Sequence, residues 1–98
     1  MAYEIRFLDD AEEHLKDLTA RERSMVLDAI AEQLTDEATL PTRNRRRMRE
    51  NELAQYRLRV SHLRVYYDVD DNEGLVVINA IGIKVREKVF IGGEEIDL

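Results

Sequence analysis

Apolar and polar positions alternate most strictly between Tyr56 and Tyr67, in YRLRVSHLRVYY. Tyr56, Leu58 and Val60 interleave with Arg57 and Arg59, and Leu63, Val65 and Tyr67 interleave with Arg64 and Tyr66. A period of two predicts half-buried strands, and the two-residue step Ser61-His62 between them predicts a hairpin. Its register then sets Val60 against Leu63, Arg59 against Arg64, Leu58 against Val65 and Arg57 against Tyr66. Upstream, Tyr3, Ile5 and Phe7 alternate as a first strand. Leu8, Ala11, Leu15 and Leu18 follow at helical spacing, with Asp9 or Asp10 as the expected cap. Thr19-Ala20-Arg21-Glu22 has the form of a capping box and predicts a second helix, whose stripe is Val26, Leu27, Ile30 and Leu34.

Pro41 closes the helical region, and residues 42 to 55 read as a polar connection rich in arginine. After the hairpin, Asp70-Asp71-Asn72-Glu73-Gly74 is a turn signal. Leu75 to Ile81 is nearly continuous in apolar residues, as in a covered central strand. Ile83 to Phe90 alternates loosely around Lys84, Arg86 and Lys88. Gly92-Gly93 breaks the chain before a short acidic tail. The order β-α-α-β-β-β predicts an α+β fold. Two N-terminal helices pack on one face of a mostly antiparallel sheet, residues 1–98 form a single domain, and the arginines of the hairpin point from the open face.

Composition sharpens this picture at two points. The chain has no cysteine, which excludes disulfides and thiolate metal sites, and His14 and His62 fall on different elements without metal-ligand spacing. No metal or cofactor is expected. No apolar run reaches the length of a membrane span, and the N-terminus is charged from residue 4, so a cytoplasmic protein with no membrane partner is expected. The net charge of −6 argues against a polyanionic partner until its distribution is considered. From Arg43 to Arg64 there are eight arginines and two glutamates, a local +6, whereas the remainder holds 7 basic and 19 acidic residues, −12. A basic stripe on an acidic body can hold a polyanion in a short, defined contact.

Like charges across a strand pair are destabilising, so Arg59 opposite Arg64 points to a bound anion. Guanidinium geometry matches phosphate. The plainer use of these arginines is a solvated face that reaches nearby carboxylates. Arg43, Arg45, Arg46, Arg47 and Arg49 have three uses open to them: RNA contact, a solvated loop, or pairing with an acidic partner protein.

The run YRLRVSHLRVYYDVDD followed by VVINAIGIKVREKVF resembles the RelE/ParE toxin superfamily of bacterial toxin–antitoxin systems. The resemblance covers nearly the whole chain. It implies a cognate antitoxin as partner and a toxin–antitoxin hetero-oligomer. The RelE-like branch implies a metal-independent endoribonuclease that cleaves messenger RNA in the ribosomal decoding site, through attack by the neighbouring ribose 2′-hydroxyl. Carried onto this chain, its basic positions fall on Arg57, Arg59 and Arg64, and then on Lys84 or Arg86. Its C-terminal aromatic, tyrosine in many active members, falls on Phe90. Tyr66 joins the arginine face as a further RNA contact. Phenylalanine carries no proton, so His62, Tyr66 and Lys84 remain as candidates for proton transfer, with the neighbouring cations expected to favour a Tyr66 phenolate. His14 is expected at the surface. The ParE-like branch implies inhibition of DNA gyrase instead. An inactive relative that only binds antitoxin is the third reading.

Overall fold

The computed structural model describes residues 2–97. The chain begins with β1 (Glu4–Phe7), α1 (Asp9–Asp17) and α2 (Ala20–Gln33). It continues with β2 (Arg45–Arg47), β3 (Tyr56–Val60), β4 (Leu63–Asp70), β5 (Leu75–Val85), β6 (Lys88–Ile91) and β7 (Glu94–Ile96). One sheet runs β2-β3-β4-β5-β6-β7, antiparallel throughout, and β1 adds to β5 in parallel. The α+β architecture with two helices on one face is as expected.

The hairpin register is the one the alternation predicts, from Val60 opposite Leu63 to Arg57 opposite Tyr66. The capping box also forms. Thr19 Oγ1 accepts from the Glu22 amide at 3.1 Å, and Glu22 Oε1 accepts from the Thr19 amide at 3.0 Å. Helix α1 differs from expectation. Leu8 is its N-cap and no side chain caps it, while Asp9 and Asp10 lie in the first turn, where carboxylates favour the helix dipole. Leu8 and Leu27 stay exposed at 48% and 40%, although both stand in the predicted apolar stripes. Arg23 instead secures the end of α1, donating to the carbonyls of Leu15, Lys16 and Leu18.

Three strands were not separated in the alternation. The arginine-rich connection contains β2, which pairs with β3. The loosely alternating segment from Ile83 to Phe90 folds back at Arg86-Glu87, so its two halves pair as β5 and β6. The acidic tail forms β7 after the Gly92-Gly93 turn, where φ is +60° and +83°. Glycine tolerates that left-handed backbone without steric penalty.

Helix α1 lies over β5, and α2 over β3 and β4. Beneath them Val26, Ile30 and Leu34 meet Leu58, Leu63, Val65, Tyr67 and Ile78 in the main core. The Tyr56 and Tyr67 rings stack there at 5.4 Å, and the Tyr67 hydroxyl donates to the Ala38 carbonyl at 2.7 Å. A smaller cluster forms on the opposite face. Tyr66, Ala54 and Ala80 are buried there against Met48, Leu53, Val89, Ile91 and Ile96. That face is therefore only partly open.

The far edge of β5 is shared. Leu75–Ile78 pairs with β1, and Ile83–Val85 pairs with β6. In the gap, the Ile81 amide donates to His14 Nδ1 at 3.2 Å. His14 is thus half-buried and closes a break in the ladder, rather than standing free at the surface.

Candidate nucleic-acid interface

Strand register gathers the arginines of the open face into two rows. Arg46, Arg57, Tyr66 and Ala80 lie side by side across β2 to β5, and Arg59, Arg64 and Gly82 form the next row. A register shift between Tyr66 and Tyr67 leaves Asn79 out of the ladder, and its side chain donates to the Leu53 carbonyl at 2.9 Å. This bulge and the 48–54 loop bound the site at one end. Gly82 bounds it at the other. A Cβ there would stand 2.9 Å from Val89 Cγ1 and 3.3 Å from Tyr66 Cε2, so only glycine lets β6 close on the Tyr66 ring.

The four arginines differ in state. Arg64 is 7% exposed and donates from one guanidinium nitrogen to the Ser61 and Leu63 carbonyls, both at 2.8 Å. That locks it to its own turn, where Ser61 takes a φ of 57°. Arg57 is half-buried, and its Nε is buried with no hydrogen-bond partner. Arg59 is exposed and donates to Asn44 Oδ1 at 3.4 Å. Arg46 is exposed beside Arg57. Among the described residues, no carboxylate pairs with any of the four. Burial, then the neighbouring Arg46 and Arg64, lowers the Arg57 pKa from its usual value, and burial followed by Arg59 lowers that of Arg64. Both directions mark cations held without an anion.

Tyr66 lies between them but does not become the phenolate expected. It is 2% exposed, and burial raises its pKa further than Arg57 and Arg64 lower it. It presents a neutral phenol.

The remaining candidates separate. Lys84 follows Gly82 by two residues on β5 and flanks the arginine rows, exposed. Arg86 sits exposed at the β5–β6 turn in a left-handed conformation, φ 58°. Phe90 pairs with Ile83, which packs on the helix-side core, so its ring lies on the face away from the arginines. Arg43 and Arg49 are exposed at either end of β2. Arg47 lies on the helix side, its guanidinium 5.3 Å from the Tyr56 ring centre and donating to the Tyr56 hydroxyl at 3.1 Å. Arg45 is 6% exposed, and its guanidinium serves the carbonyls of Leu40 and Gln33. Such a side chain is not available to a phosphate. His62 Nε2 lies 2.6 Å from Glu22 Oε2, which ties the hairpin turn to the start of α2.

Two contributors escaped the sequence reading: Gly82 as the spacer under Tyr66, and Arg46 as the row-mate of Arg57. Three successive arginines carry no apolar face, so no local pattern signalled the second.

The family model described as the ParE toxin of the type II toxin–antitoxin system parDE matches residues 5–86. The chain belongs to that family, within the RelE/ParE superfamily. Among solved structures it is similar to a chain of the RelBE2 toxin–antitoxin complex from Mycobacterium tuberculosis. There the TM-score is 0.73 at 25% identity, over 86% of this chain and 100% of that one. A chain of the intact E. coli RelBE complex shares the fold, with a TM-score of 0.54 at 22% identity over 87% of this chain and 100% of that one. No curated protein sequence matches. No helix among the described residues is long and apolar enough to cross a membrane.

Proposed function

We propose that this toxin acts in the cytoplasm on translating ribosomes, binding messenger RNA through its arginine face and promoting cleavage of the backbone. The observation that carries this reading is the buried, unpartnered Arg57 Nε amid four arginines with no carboxylate among the described residues. Buried polar groups are nearly always satisfied, and a phosphate oxygen would supply the missing acceptor.

In-line attack by the 2′-oxygen breaks the P–O5′ bond to leave a 2′,3′-cyclic phosphate and a 5′-hydroxyl. The 2′-hydroxyl proton passes to water, the 5′-oxygen takes one from water, and the attack adds negative charge to the phosphorus oxygens on the way. Arg57, Arg59 and Arg64 are fixed donors for that charge, and such preorganised donors are a large source of rate. Arg46 and Lys84 would align the strand on either side. Proton transfer has little support. Tyr66 is a buried neutral phenol, Phe90 has no hydroxyl and faces the helices, and His62 is engaged by Glu22, which leaves only the exposed Lys84 beside the rows. The reaction would rest on electrostatics and alignment, with slow turnover as the consequence. Because both neighbouring structures are toxin–antitoxin complexes, we also assign this chain an antitoxin that covers the arginines.

A second reading, inhibition of DNA gyrase without chemistry, is favoured by the ParE description of the family and by the scarcity of proton carriers on the arginine face. The deciding experiment pairs two assays on the purified toxin. Primer extension on messenger RNA from translating ribosomes should reveal cleavage, while gyrase supercoiling stays unaffected. Intact message together with inhibited gyrase would reverse the choice.

A further inference from the structure

Arg45 is buried, cannot reach a phosphate, and yet stands next to Arg46 in the strand that completes the arginine face. We propose that Arg45 is the positioning residue of that face: it pins β2 to the end of α2 and so holds Arg46 beside Arg57. This rests on the phosphate reading above.

Strand β2 has three residues, all arginine, and lies at an edge of the sheet with a neighbouring strand on one side only. Arg46 opposes Arg57 across the ladder, a like-charge pair that works against the pairing. Something must hold this strand in place, and the contacts of Arg45 supply it. Its Nε donates to the Leu40 carbonyl at 3.0 Å, and another guanidinium nitrogen donates to the carbonyl of Gln33, the last residue of α2. Its remaining nitrogen lies 4.0 Å from Glu37 Oε2. A cation at a helix C-terminus also meets the negative end of the dipole. The backbone of Arg45 is closed by Thr42, whose Oγ1 accepts from the Arg45 amide at 3.1 Å and whose amide donates to the Arg45 carbonyl at 2.8 Å.

The geometry requires arginine. Two carbonyls on different parts of the chain are bridged by one planar fork, which the single ammonium of lysine cannot span in the same way. Strand alternation does the rest. With Arg45 turned under the helices, Arg46 must project from the opposite face, into the row of Arg57 and Tyr66. The position of Arg46 is thus fixed from the far side of the sheet.

The test uses the full chain with Arg45→Met, Arg46→Ala and the double variant. A short single-stranded RNA is the polyanion probe, and amide hydrogen exchange is read in parallel. Each single change should weaken RNA binding by about fivefold or more, the loss of one charged contact. The double variant should bind no worse than the weaker single, because both act through one contact. In Arg45→Met, the β2 ladder amides of Arg59 and Met48, bonded to Asn44 and Gln55 at 2.7 and 2.8 Å, should exchange faster while those of β4 and β5 keep their protection. A general loss of structure would instead release β4 and β5 too. Multiplying effects in the double variant, or unchanged exchange at Arg59 and Met48, would overturn the positioning role and leave the phosphate reading intact. Wild-type RNA binding by both Arg46→Ala and Arg57→Ala would overturn the phosphate reading, and the positioning role with it. If Arg45→Met does not fold, Arg45→Lys is read by the same criteria, with ladder exchange between that of wild type and a free strand.

Discussion

Beneath the helices, Arg45 lies 6% exposed with its guanidinium against the Leu40 and Gln33 carbonyls. One residue along the same strand and on the other face, Arg46 joins Arg57, Arg59 and Arg64, where no carboxylate answers the charge among the described residues. The two faces use one residue type for opposite ends. On the first, arginine is a structural donor with its acceptors built in. On the second, Arg64 is likewise held by the Ser61 and Leu63 carbonyls, but the buried Arg57 Nε has no acceptor among the described residues. Residue type is the same on both faces, and what marks the second is the Arg57 nitrogen whose acceptor the described residues do not supply.

The contrast breaks most directly by removing apolar mass from the helix face. Leu58 is fully buried between Arg57 and Arg59. Leu58→Ala should cost about 2–5 kcal/mol in chemical denaturation. A much smaller loss would mean that the helix face is not where stability resides. Truncation on the other face should move function and leave stability alone. Arg57→Ala or Arg64→Ala should slow cleavage on ribosomes about 10²–10³-fold, as for loss of one transition-state donor. Melting should stay level or rise in Arg57→Ala, since a like-charge contact is relieved. For Arg64 the lost turn contacts offset part of that gain. Cleavage at the wild-type rate by either variant would remove the face from the reaction.

Glu22 tests the tie between the two faces, because it caps α2 and holds His62 at the hairpin turn. Its pKa is lowered, chiefly by the Thr19 amide and then by His62. A lowered carboxylate pKa contributes stability that is fully present above the unfolded value, about 4.3 for glutamate, and lost as pH falls through the folded value. Glu22→Gln should therefore lower stability at pH 7 by about 0.5–1.5 kcal/mol, the worth of a hydrogen bond. The gap to wild type should close in acid, and a gap that persists at pH 2 would refute the linkage. The smallest effect is expected at Phe90. Its ring is on the helix face, so Phe90→Tyr should leave the cleavage rate unchanged, and a tenfold gain would mean that the C-terminal hairpin turns over when RNA binds.

Much of this was legible in the sequence. Alternation set the β3–β4 register residue by residue, because a slip of one would have exposed Leu58 and buried Arg59. The capping box announced α2 from four residues. Lost were β2, because three successive arginines carry no apolar face to count, and β7, whose Glu94-Glu95-Ile96 reads as solvated tail. The face taken by Phe90 was not legible for a related reason. The fold-back at Arg86-Glu87 sets which face each following residue takes, and a left-handed arginine gives no warning in composition. The roles of Arg45 and Gly82 depend on contacts with distant parts of the chain, which local pattern does not record.

The shared edge of β5 has a consequence for how this molecule comes into being. The first strand made, β1, finds its partner only in Leu75–Ile78, and α1 packs over the same late strand. During synthesis β1 and α1 therefore have no strand to lie on until β5 has left the ribosome, whereas α2 can already settle on β3 and β4. Pairings between such distant segments close slowly, because loop entropy must be overcome before contacts reward it. The hairpin that carries Arg57, Arg59 and Arg64 is made before β5, so β1 and α1 would settle only after the arginines have been brought together.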